Sequence, residues 1–158
     1  MGIKKLVAKL VHKHGTNNPF EIAAQKDIHI LYEPLGSIMG YFHTYKRISI
    51  IHINNSLSEA QQRFTCSHEL GHALLHPKVN TPFLKSNTLF SVDRIEREAN
   101  EFAVELLIAD EMLLDHSLEA AAVACGVPIH IARLKRHPRS CAIKSFYEEE
   151  DSFFYFGK

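Results

Sequence analysis

An α+β fold, with a small antiparallel three-stranded sheet packed on a mainly helical core, is predicted by two changes of hydrophobic period along the chain. Apolar residues recur at helical spacing through residue 11, pass into strand-like runs between residues 28 and 53, and return to helical spacing from residue 58. No internal repeat or low-complexity tract interrupts the 158 residues. With 46% hydrophobic and 23% charged residues, they suit one globular domain that can bury a core of its own.

Ile3, Leu6, Val7, Leu10 and Val11 follow the i, i+3, i+4, i+7 spacing of an amphipathic helix, which Gly15 terminates. Asn18 followed by Pro19 opens a second, short helix, with asparagine as cap and proline in the first turn. Ile28 to Tyr32 reads as a strand, Pro34 to Gly36 as a turn, Ile38 to His43 as a second strand and Arg47 to Ile53 as a third, with Lys46 near the hairpin between the last two. Ser58, with Gln61 three residues on, has the form of a capping box, and the helix it opens runs to His76 because Pro77 cannot continue it. Residues 77–91 contain two prolines and several turn formers, and read as a loop long enough to be functional. Asp93, with Glu96 three residues later, has the pattern of the next cap, for a helix to about Ile108 and a further short turn from Asp110 to His116.

Net charge is zero, which gives no overall pull toward nucleic acid or an acidic membrane. Lys4, Lys5, Lys9 and Lys13 make the first helix basic, Arg133 to Lys144 form a second basic segment and Glu148 to Asp151 an acidic one, all read as solvated faces. The cysteines Cys66, Cys125 and Cys141 are odd in number with no C-x-x-C pair, which points to a reducing compartment and away from a cysteine-built metal site. Neither a signal-peptide core nor a membrane-length apolar run is visible, so the expected address is the cytoplasm, with no membrane partner.

Inside the third helix lies His68-Glu69-Leu70-Gly71-His72. Residues four apart on a helix are about 6 Å apart along its axis and nearly on one face, so both imidazoles can point at one metal ion. Glu69 follows the first histidine, as the general base of an H-E-x-x-H metallohydrolase does. A zinc held by two histidines of one helix commonly takes a carboxylate from a second helix, and Glu96, Glu98 and Glu101 compete for that role. Glu96 and Asn100 flank Ala99 and Ala103 at the edge of the apolar stripe, whereas Glu98 and Glu105 fall nearer solvent. Asn100, one turn after Glu96, is placed to hydrogen-bond the outer nitrogen of a ligating histidine. His76 lies about 12 Å along the axis from His68, too far to share an ion, and reads as a helix-end histidine meeting the dipole or solvent. His52, His43 and Tyr41 are open alternatives for an oxyanion donor.

On these two stretches the chain resembles the ImmA/IrrE family of metallopeptidases, whose pattern is H-E-x-x-H followed by E-x-x-A-N-x-F-A. The matching residues are His68 to His72 and Glu96-Arg97-Glu98-Ala99-Asn100-Glu101-Phe102-Ala103. Carried over position by position, the resemblance implies a zinc cofactor, with His68, His72 and Glu96 as its ligands and Glu69 as catalytic base, on a minimal gluzincin-like fold. It covers most of the chain and weakens after about residue 115, which sets the expected division into a metallopeptidase core, 1–115, and a C-terminal helical hairpin with an aromatic tail packed on that core, 116–158. It is the short form found in phages and integrative elements that the chain is similar to. That form implies a specific protein substrate, a helix-turn-helix repressor, and so an antirepressor role.

Ser117 to Leu134 reads as two short helices around Gly126, with Ala122, Gly126 and Val127 at helix-turn-helix spacing but Ile131 and Leu134 one residue short of it. Packing or substrate docking is expected of this segment, and direct DNA binding is not, although Arg133, Lys135, Arg136 and Arg139 would suit phosphates. Phe153 to Phe156 are too apolar for a free terminus. Beside the peptidase stand two other classes of function: a metal-binding transcription regulator, and a toxin-like module that binds a partner without cutting it. Glu69 discriminates, because a structural H-x-x-x-H site has no use for an acid beside the metal.

Overall fold

Helix α1 (Ile3–His14) turns Val7 and Leu10 inward and stops where Gly15 takes a left-handed conformation, φ 70°, with its N–H donating to Val11 O. A side chain there would be strained. These elements come from a computed structural model that describes residues 2–79 and 92–136. The remainder of the loop expected at 77–91, the basic residues beyond Arg136, Cys141, the acidic run and the aromatic tail lie outside the described residues. α2 (Pro19–Gln25) starts at Asn18, whose side-chain oxygen accepts from the N–H of Phe20.

The sheet consists of β1 (Ile28–Glu33), β2 (Gly40–Tyr45) and β3 (Ile48–Asn54) in the order β1-β3-β2. β2 and β3 form a hairpin through Lys46 and Arg47, both at positive φ (47° and 69°), the backbone pattern of a type I′ turn. β1 pairs with β3 in parallel, from Ile28 opposite Ser49 to Glu33 opposite Asn54. The antiparallel sheet expected from the sequence is therefore corrected to a mixed one. The link from β1 to β2 is not a hairpin turn; it steps across the end of β3, a distance of about two strand spacings or 10 Å. Asn54 holds that step in place. Its Nδ2 donates to Gly36 O and Ile38 O, both at 2.9 Å, and its backbone N–H donates to Met39 O at 2.8 Å.

α3 (Glu59–Leu75) begins with the capping box of Ser58 and Gln61 in both directions. α4 spans Val92–Leu107, so Asp93 falls inside its first turn and is not its cap. Gly71 lets the two helices meet: a Cβ there would come 3.1 Å from Ala99 Cα and from Phe102 Cδ1. One core lies between the sheet and helices α1 to α4, around Ile22, Phe42, Ile51, Ile53, Leu70 and Phe102. Each such side chain contributes about 1.5–3 kcal/mol by leaving water.

A second core joins Phe64, the other side of α4 (Val104, Leu107) and Ile108 just past its end to Ala121, Ala122, Val127 and Ala132. These belong to the C-terminal run of short helices α5 (Met112–Asp115), α6 (Leu118–Cys125) and α7 (Ile129–Ala132). Gly126, φ 68°, seats this run on the start of α3, since a Cβ would fall 2.7 Å from Ala60 Cβ.

Glu105 corrects the expectation that it faces solvent: it is 6% exposed. Lys135 Nζ lies 2.7 Å from its Oε2 and 2.8 Å from Asp110 Oδ1, and Lys4 Nζ is 2.7 Å from Asp110 Oδ2. Arg136 adds a backbone N–H to Glu105 at 2.9 Å and its Nε to Glu101 at 2.8 Å. Two of the basic residues considered for phosphate contacts are thus spent on carboxylates of this chain. Removing one partner of such a buried pair strands the other charge, a loss of about 3–5 kcal/mol. Among the described residues no helix is long and apolar enough to cross a membrane.

Candidate metal centre

His68, Glu69 and His72 share one face of α3, and the two histidines bring their Nε2 atoms to 3.0 Å of each other. Glu96 reaches across from α4, with Oε2 3.2 Å from His68 Nε2 and Oε1 3.5 Å from His72 Nε2. The contact of Gly71 with Ala99 makes this reach possible, because Glu96 lies one turn before Ala99 and His68 and His72 flank Gly71. The helices meet at a point where neither carries a bulky side chain. Substituting Gly71→Val should force them apart, lower stability by about 1–3 kcal/mol, and reduce metal affinity as well. Denaturant unfolding and metal titration of one preparation would check this, and unchanged metal affinity would refute the role given to the contact.

Among the described residues these three form a group whose donor atoms all lie within 4.8 Å of one another. Donors at about 2.0–2.1 Å from one tetrahedral zinc would be about 3.3 Å apart, which the observed 3.0, 3.2 and 3.5 Å fit. The protonation pattern fits too. Asn100 Oδ1 lies 2.9 Å from His68 Nδ1 and can only accept, so Nδ1 carries a proton and Nε2 is the ring nitrogen that faces Glu96 and His72. Hydrogen bonds from His68 and His72 hold the Glu96 carboxyl well below the usual carboxylate range. Burial opposes charge on His68, yet hydrogen bonding to Glu96 and the charges of Glu69 and Glu96 raise its pKa above the ordinary value. A cluster that holds its carboxylate ionised beside two converging imidazole nitrogens is suited to a cation.

The three donors and Glu69 line a cleft of about 490 Å³ whose other walls include Ile38, Met39 and Phe64. Glu69 is 5% exposed. Asn54 braces the wall at Ile38 and Met39 through the bonds given above, so the step between β1 and β2 shapes the cleft. Cys66, a turn before Leu70 on the buried side of α3, is no part of the cluster; burial, with Glu69 adding, pushes its thiol well up.

The competing carboxylates are engaged elsewhere. Glu98 meets His76 Nε2 at 3.0 Å and Arg94 Nε at 2.8 Å, and Glu101 meets Arg136. His76 caps α3, its N–H donating to His72 O, but its ring is paired with Glu98 and not left to dipole and solvent. The three oxyanion alternatives gather on the sheet face away from the helices. His52 Nδ1 bonds Glu33, His52 Nε2 lies 3.1 Å from His43 Nδ1, and the Tyr41 hydroxyl is 3.5 Å from Glu33 Oε1 while its ring stacks on His52 at 4.3 Å. Tyr41 lines the cleft, yet its hydroxyl is turned to Glu33. Burial, then the charge of Glu33, raises its pKa. Sequence reasoning missed Asn54, Glu33 and Thr65. Only Thr65 carried a signal: it stands three residues before His68, on the motif's own helix face.

Comparison with known proteins bears on the same residues. The family described as the IrrE N-terminal-like domain, Peptidase M78, matches residues 23–121, which include all three donors, Glu69 and Asn100. An uncharacterized immunity region protein 2 of Bacillus phage phi105 is 47% identical over 139 residues, covering 84% of this chain and 88% of that protein. The metallopeptidase ImmA of Bacillus subtilis (strain 168) is 33% identical over 162 residues, covering 97% of this chain and 95% of the relative.

Proposed function

The chain belongs to the ImmA/IrrE family of metallopeptidases, and we propose that it is a zinc-dependent endopeptidase that cuts one protein substrate, a helix-turn-helix repressor. The observation that carries this reading is the convergence of His68 Nε2, His72 Nε2 and the Glu96 carboxylate in a cleft that also holds a buried acid, Glu69. In this proposal His68, His72 and Glu96 hold the metal, in the gluzincin manner of two histidines on one helix and a glutamate on the next. Bound there, zinc supplies a Lewis acid that polarises a carbonyl and makes water acidic near neutral pH. Asn100 keeps the proton of His68 on Nδ1, so that Nε2 stays available. The Glu69 carboxylate takes the proton from the attacking water and passes it to the leaving amine. The apolar wall of Ile38, Met39 and Phe64 excludes water around it.

The repressor as substrate is supported by the immunity-region name of the phage relative, and a repressor substrate would in turn make the cytoplasm the address. The engagement of Lys135 and Arg136 with acidic residues of the chain supports a packing role, and not DNA contact, for the C-terminal helices. We further propose residues 1–115 as the peptidase core and 116–158 as a segment attached to it. The test is direct. Incubating the purified zinc-loaded chain with a helix-turn-helix repressor from the same genome should give a discrete fragment by mass spectrometry, and a chelator should abolish it. A repressor left intact by the loaded chain would overturn the substrate assignment.

A further inference from the structure

Thr65 stands on α3 three residues before His68 and four before Glu69, so it shares the face that carries the motif. It is 3% exposed and lines the cleft. Its hydroxyl is buried and has no hydrogen-bond partner. A helical threonine commonly bonds back to a carbonyl of the preceding turn, and here that bond is not made. Packing explains why the side chain does not rotate to make it. The methyl occupies the space beside Gly40, where even an added Cβ would come 2.6 Å from Thr65 Cγ2 and 2.6 Å from His52 O. Threonine is branched at Cβ, so a seated methyl also fixes the hydroxyl.

Buried polar groups are almost always satisfied, and an exception calls for a partner that arrives later. The cleft beside Thr65 offers apolar walls, Ile38, Met39 and Phe64, and the Glu96 carboxylate with the imidazoles of His68 and His72, which already have partners in one another. A polypeptide entering this cleft brings a carbonyl oxygen with every residue. We propose that Thr65 Oγ1 donates a hydrogen bond to a main-chain carbonyl oxygen of the bound substrate next to the bond that is cut, making Thr65 a further substrate-contacting residue. The inference rests on the peptidase reading and deepens it.

Thr65→Val is nearly isosteric and lacks the hydroxyl, whereas Thr65→Ser keeps it. With that same-genome helix-turn-helix repressor as probe, Thr65→Val should lower kcat/KM roughly tenfold, and weaken repressor binding in a Glu69→Gln background. It should retain zinc and melt no lower than the wild type, because an unsatisfied buried hydroxyl has been removed. Thr65→Ser should recover most of the activity. Wild-type cleavage and binding by Thr65→Val would overturn the proposal, as would a lower melting temperature or zinc loss shared by both variants, which marks a structural residue. A wild-type chain that binds the repressor without cutting it removes the peptidase reading but leaves the contact measurable through the affinity loss of Thr65→Val. If the wild type neither binds nor cuts, both fall.

Discussion

Zinc-loaded Glu69→Gln is expected to cut its substrate about 10²- to 10⁴-fold more slowly than the wild type while holding the same amount of metal. Glutamine keeps the size and shape of the side chain but cannot accept a proton at neutral pH. Glu69 lines the cleft yet is not one of the three converging donors, so metal content should stay at about one zinc per chain. Single-turnover cleavage followed by mass spectrometry, with zinc measured on the same sample, separates the two properties. Equal rates in the two proteins would remove Glu69 from the chemistry, and loss of zinc in the variant would make it a ligand.

Replacing Glu96 with alanine should have the opposite signature, with metal and activity lost together. Its carboxylate faces both histidines, one oxygen to each, so no neighbour can substitute for it without rebuilding α4. The fall in zinc affinity should exceed the roughly 10- to 100-fold that removal of an outer partner such as Asn100 produces. Glu98→Ala is the contrast. It breaks the contacts with His76 and Arg94, of which the pair with Arg94 is largely solvent-exposed and therefore weak, and zinc should remain. The ligand assignment fails if the Glu98 variant loses metal and the Glu96 variant keeps it.

What could be read from the sequence was whatever is encoded over one or two helical turns. The stop at Gly15, the caps at Asn18 and Ser58 and the pairing of His68 with His72 are all local signals, and the structure carries each of them. Strand direction was not readable, because alternation of apolar residues assigns faces and says nothing of whether a neighbour runs parallel. The decisive residue for that was Asn54, whose side chain holds a link far from it in sequence. Glu105 was misplaced for a different reason. A helical wheel assumes one buried stripe, but α4 serves two cores, and every residue from Phe102 to Ile108 is buried. Nothing within the helix itself announces that Lys135 will come to cover its other side. The pairing of His76 with Glu98 was hidden in the same way, since each partner lies on a different helix.

The mixed sheet also sets an order of assembly. β2 and β3 are joined by a two-residue turn and can zip as soon as that turn forms, on the scale of about 1–10 μs. β1 must wait, because Ile28 meets Ser49 only after the intervening chain has looped past the end of β3, and such non-local pairing is slow to nucleate. In pulse-labelled refolding, amides of the β2–β3 ladder should gain protection before those between β1 and β3, and the reverse order would contradict this. The wall of the cleft is made by the same link that delays β1. A folding intermediate with the hairpin formed and β1 undocked would therefore hold the H-E-x-x-H helix beside an unfinished wall, so competence to recognise a substrate should be among the last properties the chain acquires.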